Sequence, residues 1–162
     1  MNKELVYNFY ESVATLGNIG FVPWAPGTVA SLVTIVLTWA WQSFFGINPA
    51  VLVLFFSSLF FIGWYAAGIV AVHYRSKDPS FIVIDEVVAM GLLSVVAGTD
   101  IFSSVIVFVL FRFFDIVKPF PIHLLDEKCK GGFGIMIDDL GAALATLAVF
   151  WGISFFYFFP GT

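Results

Sequence analysis

The stretch FGIMIDDLGAA, Phe133–Ala143, sets two adjacent carboxylates, Asp138 and Asp139, inside an apolar run that continues to about Phe159. The run is long enough for a membrane-spanning helix, which needs about 20 mostly apolar residues. A charge near the middle of such a helix costs on the order of 3 kcal/mol. Paired acids there call for a protein interior, a wet cavity or a cation. The stretch thus points to a helical membrane protein and, within it, to a functional site.

The rest of the chain agrees with that class. Its 162 residues are 60% hydrophobic and only 11% charged, and the mean hydropathy is +1.01, far from ordinary soluble usage. The length suits one domain over residues 1–162. The net charge is −4, but the acids are few and several lie within apolar runs. Nucleic-acid binding would want a basic stripe, which this chain lacks. Cys129 is the single cysteine, so it can form neither an intrachain disulfide nor a thiol relay. Met1–Gly20 carries Glu4 and Glu11, lacks a basic n-region and shows no signal-peptide pattern.

Outward from the opening stretch, hydropathy and punctuation divide the chain into helices. Apolar residues at Leu5, Val6, Phe9, Val13 and Leu16 predict an N-terminal amphipathic helix within Met1–Gly20. A Gly- and Pro-rich loop follows, after which Thr28 or Ser31 is placed to cap the next helix. Uncharged segments run over Val29–Phe45 and Ala50–Val72, separated by the turn Gly46–Pro49. A third segment, Phe81–Ala97, carries Asp85 and Glu86 near its start. A fourth, Ile101–Val117, carries Arg112 and Asp115 near its end and stops at Lys118-Pro119. The fifth is the Asp138-Asp139 helix. The expected architecture is an all-α, polytopic membrane bundle of about five spans plus the amphipathic helix.

Lys3, Arg75, Lys77, Lys118, Lys128 and Lys130 all fall in segments that five alternating spans put on one side. The positive-inside rule makes that side cytoplasmic, with the amino terminus in and the carboxyl terminus out. A re-entrant third segment would instead move Asp100 and all that follows to the other side. With five spans, Asp85, Glu86, Asp115, Asp138 and Asp139 share one depth at the cytoplasmic face, together with Arg112, Lys118, Thr28 and Ser31. Acids from three helices, without His or Cys, suit magnesium beside a phosphate site. Arg112 lies on the face of Asp115, able to pair with it or to grip a phosphate. Gly131-Gly132-Phe133-Gly134 could bring backbone N–H groups to a phosphate or serve as a hinge. His73 and His123 sit in polar loops as solvated residues.

Four blocks together resemble the phosphatidylglycerophosphatase A family. They are PGTVAS from Pro26, IDEVVAM from Ile84, FRFFDIVKPFPI from Phe111 and GGFGIMIDD from Gly131, and in order they cover most of Gly17–Ala143. Ala30 and Ala89 stand where the family often has glycine. The resemblance implies a magnesium-dependent phosphatase converting phosphatidylglycerophosphate to phosphatidylglycerol at the cytoplasmic face of a bacterial inner membrane. Its phospholipid substrate would be drawn from the membrane. The site then has Asp85, Glu86, Asp138 and Asp139 as metal ligands, Asp85, Asp115 and Asp139 in catalysis, and Thr28, Ser31, Arg112 and Lys118 on the substrate. Attack by water and attack by an aspartate both stay open. The alternative class is a small cation- or proton-coupled transporter, since acids within spans also mark ion pathways. The Asp-Gly and Ala-Arg pattern of CDP-alcohol phosphotransferases and the motifs of histidine-dependent lipid phosphatases are not found here.

Overall fold

The computed structural model describes residues 3–158, and every regular element among them is helical. The helices are α1 (Lys3–Ala14), α2 (Pro26–Phe45), α3 (Pro49–His73), α4 (Ile84–Ala97), α5 (Ile101–Val117), α6 (Ile122–Lys128) and α7 (Gly131–Phe158), with a 3-10 turn over Ile19–Phe21. The expected end of the fifth span at Phe159, and the carboxyl terminus assigned to the outside, lie beyond the described residues.

The boundaries differ from expectation where local chemistry outweighs hydropathy. Neither Thr28 nor Ser31 caps α2. The helix begins at Pro26, whose fixed φ suits a first helical position, and its N-cap is Ala25. The amphipathic helix stops at Ala14, because residues 15–21 turn back. Thr15 Oγ1 accepts the Asn18 N–H, and the Val83 N–H donates to the Ala14 carbonyl at 2.9 Å. That last bond holds residues 81–83 outside α4, which therefore starts at Ile84 and puts Asp85 and Glu86 in its first turn. The short helix α6, folded back after the Pro119–Pro121 stop, had no periodic signal long enough to announce it.

α4 is the centre of the bundle and packs against α2, α3, α5 and α7. Most of its residues from Ile84 to Ser94 are buried. Small residues permit this closeness. α2 turns Gly27, Ala30, Ser31, Thr34 and Thr38 inward, and α3 turns Gly63, Ala66, Ala67 and Ala71, the pattern by which apolar helices associate in lipid. The buried hydroxyls of Ser31, Thr34, Ser94 and Thr146 donate to carbonyls of their own helices, as where Thr34 Oγ1 donates to the Ala30 carbonyl at 2.8 Å. Ala30 and Ala89, the two departures from glycine, are fully buried without steric conflict.

α2, α3 and α7 are long and apolar enough to cross a membrane. α4 and α5 have 14 and 17 residues, or roughly 21 and 26 Å of rise at 1.5 Å per residue. The two short connections, 46–48 and 98–100, reverse the chain between α2 and α3 and between α4 and α5. α1 docks on α3. The Tyr7 and Tyr74 hydroxyls both donate to Glu11 Oε1, at 2.9 and 2.8 Å, and the Tyr7 ring lies 4.2 Å from that of His73. Burial, then the bond to Glu11, raises the Tyr7 hydroxyl above its usual pKa.

Candidate active site

At one end of the bundle the starts of α2 and α4, the early turns of α7, the last turn of α5 and the α3–α4 loop enclose a cavity of about 220 Å³. Its walls include Asp85, Glu86, Arg112, Asp115, Lys118, Asp138 and Asp139. The seven charged residues drawn from three sequence blocks do converge. Asp85 and Glu86 come from the N-terminal turn of α4, where the helix dipole favours negative charge.

Within the cavity the acids divide into three groups. Asp85, Glu86 and Asp139 each offer an oxygen such that all three lie within 4.8 Å of one another. Asp85 Oδ1, Glu86 Oε2 and Asp139 Oδ2 are buried and lack a hydrogen-bond partner. Three carboxylates at such close range repel one another, and desolvating each ion costs several kcal/mol. A divalent cation relieves both effects, and an all-oxygen set without nitrogen or sulfur fits magnesium. Asp115 forms the second group. Its Oδ2 lies 2.8 Å from Arg112 Nη1, which is also 3.6 Å from Glu86 Oε1. The ion pair lies off the N–H direction, and among the described residues neither Arg112 Nη1 nor Nε has a hydrogen-bond acceptor. Asp138 forms the third. Its Oδ2 accepts a hydrogen bond from Lys118 Nζ, and its Oδ1 accepts the Asp139 N–H at 3.1 Å. Lys118 reaches it from the left-handed C-cap of α5.

Other expected positions lie elsewhere. Thr28 and Ser31 are not among the cavity walls, and the buried Ser31 hydroxyl donates to the Gly27 carbonyl at 2.8 Å. Their neighbours Pro26 and Gly27 line the cavity instead. A Cβ on Gly27 would lie 1.8 Å from Glu86 Oε1, so this glycine makes room for the carboxylate. Gly131–Gly134 forms the first turn of α7, and its Gly132 serves helix packing. A Cβ on Gly132 would lie 2.1 Å from the Trp64 carbonyl oxygen and 2.5 Å from the Gly68 nitrogen, which is how closely α7 crosses α3. His73 and His123 are absent from the walls, whereas Asp78 and Ser80 of the α3–α4 loop are present. The only sequence signal for that pair was their place in a polar loop just before Asp85-Glu86.

Fold and site together define an all-helical membrane protein with a buried polar cavity of carboxylates and cations at one end of the bundle. The profile of the phosphatidylglycerophosphatase A family matches residues 12–154. The chain is 37% identical over 139 residues to phosphatidylglycerophosphatase A of Haemophilus influenzae, covering 84% of this chain and 83% of that one. It is 33% identical over 135 residues to phosphatidylglycerophosphatase A of Escherichia coli, covering 83% and 77%. A Bacteroides thetaiotaomicron protein provisionally named a phosphatidylinositol-3-phosphatase is 33% identical over 132 residues, covering 77% and 80%. No solved structure matches the chain. The chain belongs to the phosphatidylglycerophosphatase A family, a family of phosphatases.

Proposed function

We propose that this chain, as one membrane-embedded domain, hydrolyses the terminal phosphomonoester of phosphatidylglycerophosphate to phosphatidylglycerol, with magnesium, at the cytoplasmic face of a bacterial inner membrane. One observation carries the reading: three unpartnered carboxylate oxygens meet, in a single buried cavity, a guanidinium whose Nη1 and Nε lack acceptors. Asp85, Glu86 and Asp139 would hold the metal. When bound, it supplies Lewis-acid stabilisation of the charge that builds on the phosphate oxygens. Arg112 turns its unused donors to those oxygens, as a planar fork suited to phosphate. Asp115 holds Arg112 in place. Asp138, expected as a ligand, is assigned instead to positioning Lys118, whose ammonium neutralises further phosphate charge. Positioning and charge stabilisation are most of what a protein contributes to phosphoryl transfer.

Five crossings suit this arrangement. The outward face of α5, through Ile101, Val105, Val109, Phe113 and Ile116, is exposed and apolar along its length, as a lipid-facing helix requires. α4 is wrapped by protein and needs no lipid-matching surface of its own. Arg75, Lys77, Lys118, Lys128 and Lys130 belong to the loops at the cavity end, which supports a cytoplasmic site. A transporter would need ionisable groups leading onward, and among the described residues none is buried beyond the cavity. Below the cavity the α4, α5 and α7 faces are instead packed with Ala89, Met90, Leu93, Val107, Phe111 and Ala142.

The test is phosphate release by the purified protein in detergent from phosphatidylglycerophosphate, phosphatidylinositol 3-phosphate and phosphatidic acid, each with magnesium and with chelator. Phosphatidylglycerophosphate should be preferred and its turnover should stop in chelator. Release independent of divalent metal overturns the metal assignment, and preference for another lipid overturns the substrate.

A further inference from the structure

We propose that an apolar groove beside the polar cavity receives an acyl chain of the lipid substrate, an inference that rests on reading the chain as a lipid phosphatase. The groove holds about 690 Å³ between the end of α5, Pro119–Pro121, α6 and α7, within the range of about 300–1,000 Å³ typical of ligand clefts.

Its walls continue those of the cavity. Gly141 and Ala145 line it, and they follow Asp138 by three and seven residues, so all three share one stripe of α7. On α5, Phe114 lines the groove while the next residue, Asp115, lines the cavity. After Lys118 bonds to Asp138, the chain moves along α7 away from the site and α6 returns. A Cβ on Gly141 would lie 2.7 Å from Leu125 Cδ1 and 3.8 Å from Ile122 Cγ2, and one on Gly134 would lie 2.6 Å from the Cys129 carbonyl oxygen. α6 therefore runs beside α7 from the depth of Gly141 back toward its start, forming the outer wall. Phe120 and Leu144, 77% and 68% exposed, leave that wall open toward lipid. The one charged residue in the lining is Lys128, complementary to the phosphodiester that a phosphatidyl group carries above its chains. A lipid seated here would direct its headgroup phosphate into the neighbouring cavity.

A second apolar groove supplies the internal control. It lies between α2 and α5, is about 360 Å³, includes Val36, Trp39 and Phe108, and has neither a cation nor a wall shared with the cavity.

The experiment uses the full chain in detergent with substoichiometric phosphatidylglycerol bearing a photoreactive acyl chain, with labelled residues mapped by mass spectrometry. Labelling should concentrate on Leu124, Leu125 and Leu144, and should fall to the level of the α2–α5 groove in Ala145→Phe and in Leu124→Trp. In both variants the ratio of kcat/KM for dihexadecanoyl over dihexanoyl phosphatidylglycerophosphate should drop roughly tenfold, the scale of discrimination an apolar pocket supplies. Val36→Trp, in the other groove, should leave the ratio unchanged. Even labelling of the two grooves, a groove covered by a second copy of the chain, or an unchanged ratio in both filled variants overturns the proposal. If the wild type releases phosphate from neither chain length, the functional reading fails, while the labelling still decides the groove.

Discussion

A Cβ on Gly27 would lie 1.8 Å from Glu86 Oε1 and 2.7 Å from its Cδ, too close for either residue to keep its place. Gly27→Ala should therefore displace the Glu86 carboxylate and lower phosphate release on the order of 10–100-fold, since misplacement by about 1 Å has that effect in catalysis. Protein yield and helicity should stay near wild type. Asp139→Asn probes the acids themselves. It keeps the shape of the side chain but removes one of three clustered carboxylates. Activity should fall by more than the roughly 10–100-fold typical of losing an outer-shell partner of a metal. The melting temperature in chelator should hold or rise, and the increase that magnesium gives the wild type by binding the native state should disappear. Full activity in Asp139→Asn would sink the ligand assignment. Such residues were visible in the sequence because a charge in an apolar helix is costly wherever it occurs. The pairing of Arg112 with Asp115, three residues apart on one helix, was also legible; that Asp138 turns to Lys118 was not, because it depends on how α5 and α7 are set against each other.

Among the elements, α7 has to bring Asp138 and Asp139 to α4 while crossing α3 at backbone distance. Gly132 is the contact point. Its virtual Cβ lies 2.1 Å from the Trp64 carbonyl oxygen, and backbone cannot yield as a flexible side chain can. Gly132→Ala should lower stability by roughly 1–3 kcal/mol, the usual effect of overpacking, read as a lower melting temperature in detergent. It should also reduce activity, because the shift is transmitted along the helix to the acids two turns on. Except for α6, helix existence and type were legible from apolar runs and Pro/Gly punctuation. Starts were less so. α4 begins at Ile84 because Val83 is tied to Ala14, a contact across the chain that no local pattern reports, and of the glycines at the start of α7 it is Gly132 that serves the crossing of α3.

For the whole molecule, the arrangement predicts opposite sides of the membrane for the α3–α4 and α4–α5 connections. In a Cys129→Ser background, Ser76→Cys should be labelled by an impermeant thiol reagent only from the cytoplasm, and Thr99→Cys only from the outside. Labelling of both from one side would overturn five crossings. By itself the sequence determined the helical membrane class and the family, and it raised the expectation of acids at one depth around an oxygen-binding metal. Hydropathy, helical period and the cost of desolvating charge act residue by residue and remain readable along the chain. Only the tertiary structure decided how the acids divide, with Asp85, Glu86 and Asp139 clustered and Asp138 turned to Lys118, the clearance at Gly27 that admits Glu86, the exclusion of Thr28 and Ser31 from the cavity walls, and the fold-back of α6 along α7. Each of these depends on the distance between groups far apart in sequence, and that distance is set by helix rotation and by how closely glycine and alanine let the backbones approach.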